Sequence, residues 1–312
     1  MQDTDHSPKR INVLSIDGGD IRGIVAAAIL GALEKHLGKE VYAIFDLIAG
    51  TSTGGIIALG IATPANHGRP YRPTELIDLY ASYGPRIFRK SLFTPLKALL
   101  GPKYRPEPLE EAVATYFGDT PLASAFVPLL VSSYDLHSQL PFFFKSHRIA
   151  QDASYDWPIK SIARATSAAP TFFPPLHLVR GDSDYTLIDG GVFANNPSVA
   201  AYAEARRIHP LATEFVVVSV GTGDRMDHIT FAQARKWGLI GWAKQIIPVM
   251  MDSASEAADY ELDWILGTAP CCKHYRLQPE LKLARTTWTT PARRTSKISS
   301  VKPGTSSPRR AP

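Results

Sequence analysis

Twice near its start this chain runs a short apolar stretch straight into a glycine cluster and then into a helix-patterned segment, and this repeated unit limits its fold more than any other feature. Residues 11–16 (INVLSI) are apolar and β-branched and end at Asp17, before Gly18 and Gly19. That pattern predicts a buried strand feeding a loop. After Gly23 the apolar positions Ile24, Val25, Ala28, Ile29, Leu33 and Leu37 follow helical spacing, and Gly38 sits where a glycine ends a helix. Residues 44–49 (IFDLIA) repeat the arrangement, leading through Gly50-Thr51-Ser52-Thr53-Gly54-Gly55 into the helix-like IIALGIA.

Further short apolar runs at 127–132, 141–144, 186–188 and 215–220 predict strands, and helical stretches lie between them near 73–83, 109–116, 158–167 and 197–208. Such alternation predicts an α/β fold: a three-layer α/β/α sandwich with a mostly parallel central sheet. Residues 63–108, rich in Pro, Arg and Tyr with weak periodicity, read as an insertion of helices and loops near the site. There is no internal repeat.

Composition narrows the function classes. With 312 residues, 45% of them apolar, the chain can bury one large core. No run reaches the roughly 18 apolar residues of a spanning helix, and residues 1–10 lack the apolar run of an export signal. The only cysteines, Cys271 and Cys272, are adjacent and read as small packing residues in a reducing, cytoplasmic setting. The net charge of +5 hints at nucleic acid, but eight of the 34 Lys/Arg fall in 281–312, which has no Asp or Glu; that leaves 26 basic against 29 acidic groups in 1–280, a net of −3. The expected layout is therefore a flexible N-terminus over 1–9, one folded domain over 10–284 and a basic tail over 285–312, with no nucleic-acid partner.

Gly50-Thr51-Ser52-Thr53-Gly54 matches the G-x-S-x-G elbow, in which a tight strand-to-helix turn projects a serine oxygen away from the backbone. A Gly/Ser/Thr loop is more often only a loop, but the strand before it and the helix after it are what the elbow requires. The helix N-terminus beside Ser52 also favours developing negative charge. A serine hydroxyl needs a base. A His-dependent esterase would place it after Ser52, leaving His209, His228 and His274, none in a recognisable setting; His6, His36, His67, His137, His147 and His177 show no paired metal spacing. Asp189 is the better partner, a carboxylate at a strand end followed by Gly190 and Gly191, although Asp-Gly-Gly alone reads as a turn. The third element is the 17–23 loop (DGGDIRG), whose backbone N–H groups at a helix start suit an oxyanion, with Arg22 adding positive charge. It has neither the Gly-Lys-Ser/Thr of a Walker loop nor the glycine order of a dinucleotide loop.

These three motifs in this order, together with 163–170 (ARATSAAP) running on to Phe173-Pro174-Pro175, resemble the bacterial patatin-like phospholipases over roughly 10–280. The resemblance implies a patatin-like α/β/α fold and hydrolysis of fatty-acyl esters of membrane phospholipids or other acyl lipids by a Ser-Asp dyad, without metal or cofactor. By position it makes Ser52 the nucleophile and Asp189 the base. Gly18, Gly19, Asp20 and Arg22 become the oxyanion site, and Gly50, Gly54, Gly190 and Gly191 the motif glycines. It also implies peripheral contact with a membrane. Relatives of this type include effectors switched on by cyclic nucleotides, so a cyclic-nucleotide activator and a role in defence are among its implications.

Two departures stand out. Where that family has a third glycine the chain has Asp20, a carboxylate beside a developing oxyanion. Two like charges about 4 Å apart interact by roughly 4 kcal/mol at an effective dielectric of 20, so a catalytically weakened lipid-binding or signalling protein is the rival reading. Alternatively Asp20 turns outward and caps the helix beginning at Ile21. The other departure is residues 286–296 (TTWTTPARRTS), which the bases spelling DDMDDASPENI one position earlier can also encode; the expectation is a frameshifted C-terminus from about residue 285.

Overall fold

The computed structural model describes residues 10–89, 101–225 and 229–281. The segments expected as flexible N-terminus and basic or frameshifted tail, with His6 and His228, lie outside them. In chain order the elements are β1 (Arg10–Ile16), α1 (Gly23–Leu37), β2 (Leu47–Thr51), α2 (Thr53–Ala62), α3 (Pro73–Ile87), α4 (Glu107–Phe117), β3 (Leu129–Asp135), β4 (Leu140–Lys145) and α5 (Ile159–Thr166). They continue with β5 (Leu176–Arg180), β6 (Ser183–Asp189), α6 (Gly191–Ala194), α7 (Ser198–Ile208), β7 (Glu214–Val220), β8 (Asp224–Arg225), α8 (Phe231–Ala234), α9 (Leu239–Gly267), β9 (Lys273–Leu277) and β10 (Glu280–Leu281).

The main sheet runs β5-β6-β3-β2-β1-β7-β9, with β4 also paired to β3. Strands β9, β7, β1, β2 and β3 are parallel, while β4, β6 and β5 join antiparallel. Apolar residues of the central strands alternate between two cores, as the two faces of a pleated strand require. Leu14 and Ile16 of β1, Ile48 of β2 and Val131 of β3 pack with α1 to α5. Ile11 and Val13, Leu47 and Ala49, and Leu130 pack with α7 and α9 on the other face. This is the expected three-layer α/β/α sandwich with a mostly parallel sheet.

Register sets the site. On β3, Leu129 to Ser132 pair with β2, ending at Thr51↔Ser132, while Ser133 to Asp135 pair with β6, beginning at Ser133↔Asp189. Strand β4 pairs with both halves from the opposite edge. Strands β2 and β6 therefore occupy one edge of β3 end to end, with their C-termini facing each other.

The stretch expected as an insertion over 63–108 contributes α3 and the start of α4, and Leu76, Leu79, Tyr80 and Ile87 of α3 are buried in the first core. Cys272 packs against the second core, but Cys271 is exposed, which corrects its reading as a packing residue. Among the described residues no helix is long and apolar enough to cross a membrane, and no group of His, Cys, Asp and Glu could hold a metal.

Candidate active site

The turn between β2 and α2 places Ser52 at φ 56° and ψ −124°, a left-handed conformation in which non-glycine residues are strained. The strain is held by neighbours. The Ser52 N–H donates to Thr166 Oγ1 at 2.8 Å, and that hydroxyl donates to the Ser132 carbonyl at 2.7 Å. Thr51 Oγ1 shares a 2.6 Å hydrogen bond with Ser132 Oγ and lies 2.6 Å from the Ala194 carbonyl. Close backbone approach explains the elbow glycines: a β-carbon on Gly50 would lie 2.3 Å from the Gly54 carbonyl oxygen, and one on Gly54 would lie 2.2 Å from that of Ile16.

Asp189 ends β6 directly above this turn and is fully buried. Its Oδ1 accepts from the Gly191 N–H at 2.7 Å, and its N–H donates to the Ala168 carbonyl at 3.0 Å. Burial pushes the carboxyl up to about 7, against the pull of the Ser52 hydroxyl and the Gly191 N–H, with a small upward contribution from the charge of Asp20. Oδ2 makes no hydrogen bond of full geometry. The Ser52 hydroxyl nonetheless lies on the side of the carboxyl where it draws the pKa down. Among the described residues, no histidine is among the groups bearing on Asp189. His274, on the edge strand β9, holds Asp263 at 2.7 Å instead.

The 17–23 loop crosses the same site, since a β-carbon on Gly18 would sit 3.3 Å from that of Ser52. Its parts differ from expectation. The Gly18 N–H is taken by the Asn195 carbonyl at 2.9 Å, so it is not available to an oxyanion. Arg22 turns away, its Nη1 donating to the Gly223 carbonyl at 2.6 Å and its N–H to Gly19 at 3.0 Å, because the chain must tie this loop to the one after β7. No backbone carbonyl among the described residues accepts from Gly19. Asp20 is exposed and left-handed at φ 52°, inside a short 3-10 turn whose cap position is Gly19 and whose start has no side-chain capping bond. The capping role expected of Asp20 is therefore not made, and Asp20, though exposed, borders the cavity beside Ser52.

An apolar cavity opens beside Ser52 and Asp20, walled by Ile56 of α2, Leu79 and Ile87 of α3, Val113 of α4 and Phe173. Tyr80 closes it near the elbow, hydrogen bonded to the Thr53 hydroxyl and, at 3.2 Å, to the Thr53 carbonyl. A hydroxyl beside a buried carboxylate, the Gly19 N–H and an apolar slot can together accept an acyl group.

Several supporting residues were not singled out from the sequence. Thr166 and Ala168 give the 163–170 stretch a purpose, one holding Ser52 and the other Asp189. Asn195 anchors Gly18 and donates from Nδ2 to Ser255 Oγ of α9 at 2.9 Å; the Asn195-Asn196 pair just after Asp-Gly-Gly was its signal. Arg276 of β9 grips Asp17 at 3.0 and 2.6 Å and Ser219 Oγ at 2.7 Å. Burial pushes the Asp17 carboxyl up to about 6 although Arg276 draws it down.

Comparison with known proteins finds a family model, described as patatin-like phospholipase, that matches residues 14–202. Patatin-like protein 1 of Arabidopsis thaliana is 33% identical over 287 residues, covering 80% of this chain and 69% of that protein. Patatin-like protein 2 of the same plant is 32% identical, covering 81% and 71%. Patatin-17 of Solanum cardiophyllum is 32% identical, covering 83% and 72%.

Proposed function

Because the chain belongs to the patatin-like phospholipase family, a family of lipid acyl hydrolases, we propose that it cleaves fatty-acyl esters of membrane phospholipids with Ser52 as nucleophile and Asp189 as base. Asp189 takes the hydroxyl proton as Ser52 Oγ attacks the ester carbonyl. The tetrahedral oxyanion is met by N–H groups of the 17–23 loop, Gly19 foremost. Asp189 returns the proton to the leaving alkoxide, and the acyl chain stays on Ser52 in the cavity. Water activated by Asp189 then releases the fatty acid. The observation that carries this reading is the end-to-end meeting of β2 and β6 on β3, which puts a strained serine beside a carboxyl whose pKa of about 7 suits proton transfer near neutral pH.

The test is ester hydrolysis by Ser52→Ala, Asp189→Asn and His274→Ala. The first two are expected to lose at least about 10³-fold, and the third little; equal activity in Asp189→Asn overturns the dyad. Kinship with the bacterial members in particular, a cytoplasmic setting and peripheral membrane contact belong to the same proposal.

One observation favours a weakened enzyme. Asp20 borders the cavity and its charge reaches Asp189. Removing it in Asp20→Gly is expected to raise kcat, and an unchanged kcat removes the weakened reading.

A further inference from the structure

The first half of α9 carries an apolar stripe that nothing among the described residues covers. Leu239, Trp242, Ile246, Val249 and Met250 recur at helical spacing on one face, at 92, 46, 40, 39 and 41% exposure. Single exposed apolar residues are ordinary, but a continuous stripe marks an interaction surface. The preceding segment extends it with Ile229 and Phe231, 50 and 79% exposed, and Trp237 meets Trp242 edge-on at 5.2 Å.

Charge identifies the partner. Residues 229–251 contain Arg235, Lys236 and Lys244 and no Asp or Glu, although 1–280 as a whole is net acidic. Arg235 and Lys236 are exposed. Two tryptophans beside an apolar stripe flanked by cations suit the boundary between lipid headgroups and acyl chains.

Position ties the stripe to the site. A β-carbon on Gly191, whose N–H holds Asp189, would meet Met251 Cε at 2.3 Å, and Ser255 accepts from Asn195. The helix therefore leaves the site at 251–255 and carries the stripe outward. We propose that the 229–250 face docks the protein on an anionic lipid surface, bringing the mouth beside Ser52 to the membrane. This rests on the lipid-hydrolase reading above.

The test is co-sedimentation of the full chain with phosphatidylcholine vesicles lacking or containing phosphatidylglycerol, beside hydrolysis of a water-soluble short-chain ester. Wild type is expected to bind the anionic vesicles preferentially. Ile246→Asp with Val249→Asp is expected to lose at least about tenfold in binding, and Arg235→Gln with Lys236→Gln about 30-fold on anionic vesicles only. Soluble-ester hydrolysis by these variants reports whether each is folded. Vesicle binding unchanged in both variants overturns the docking face, as does a wild-type dimer that the Asp variants convert to monomer. Failure of wild type to hydrolyse any ester while still binding vesicles sinks the enzymatic reading and leaves the surface standing.

Discussion

At the level of single residues, the site stores unfavourable terms that its chemistry uses. A non-glycine residue at the φ of Ser52 costs on the order of 1–3 kcal/mol, so Ser52→Gly is expected to be inactive yet more stable by about 1 kcal/mol in thermal denaturation. Asp189 stores more. Its raised pKa means that the native state keeps a proton between about pH 4 and 7 that the unfolded chain has lost, so stability falls as pH rises through that window. With each pKa unit near 1.4 kcal/mol, the total is about 4 kcal/mol. Asp189→Asn removes this dependence and is expected to melt above wild type at pH 8 but not at pH 4. The wild-type hydrolysis rate should rise with pH and level off above about 7, since the carboxylate is the base; a rate flat from pH 5 to 9 contradicts the role of Asp189.

Among the elements, those flanking the glycine motifs were legible because strand, turn and helix there are encoded locally. The 44–49 run became β2 with its elbow, and the helix expected near 73–83 became α3. Strand β5 was missed because it lies at a sheet edge, half-buried, with His177 and Arg180 among its residues, whereas the strand-like stretch around His274 became the opposite edge strand β9. Helix α9 was missed because its apolar stripe faces outward and Pro248 interrupts it. Thr166 was invisible for another reason: its partner, Ser52, lies 114 residues earlier, and no local pattern reports such a contact. Thr166→Val leaves the Ser52 N–H and the Ser132 carbonyl without their shared partner, so it should cost about 1–3 kcal/mol and lower kcat. Thr166→Ser should restore both, and wild-type kcat in the valine variant would show that the elbow holds itself.

Over the whole molecule, the site is closed by parts outside the 14–202 stretch that carries the family likeness. Arg276 spans 259 residues to hold Asp17 at the base of the 17–23 loop. Removing one partner of a buried ion pair typically costs about 3–5 kcal/mol. Arg276→Met is expected to approach that loss at pH 8 and to lose less at pH 5, where Asp17 can protonate; an equal loss at both pH values argues against an ionic strut. The shared edge of β3 has a consequence of its own. Because β2 and β6 lean on neighbouring residues of one strand, the backbone amides between them cannot open separately. Hydrogen exchange at Ser132 and Ser133 should then report the global unfolding equilibrium, and activity in rising denaturant should vanish together with the fold, in one cooperative step.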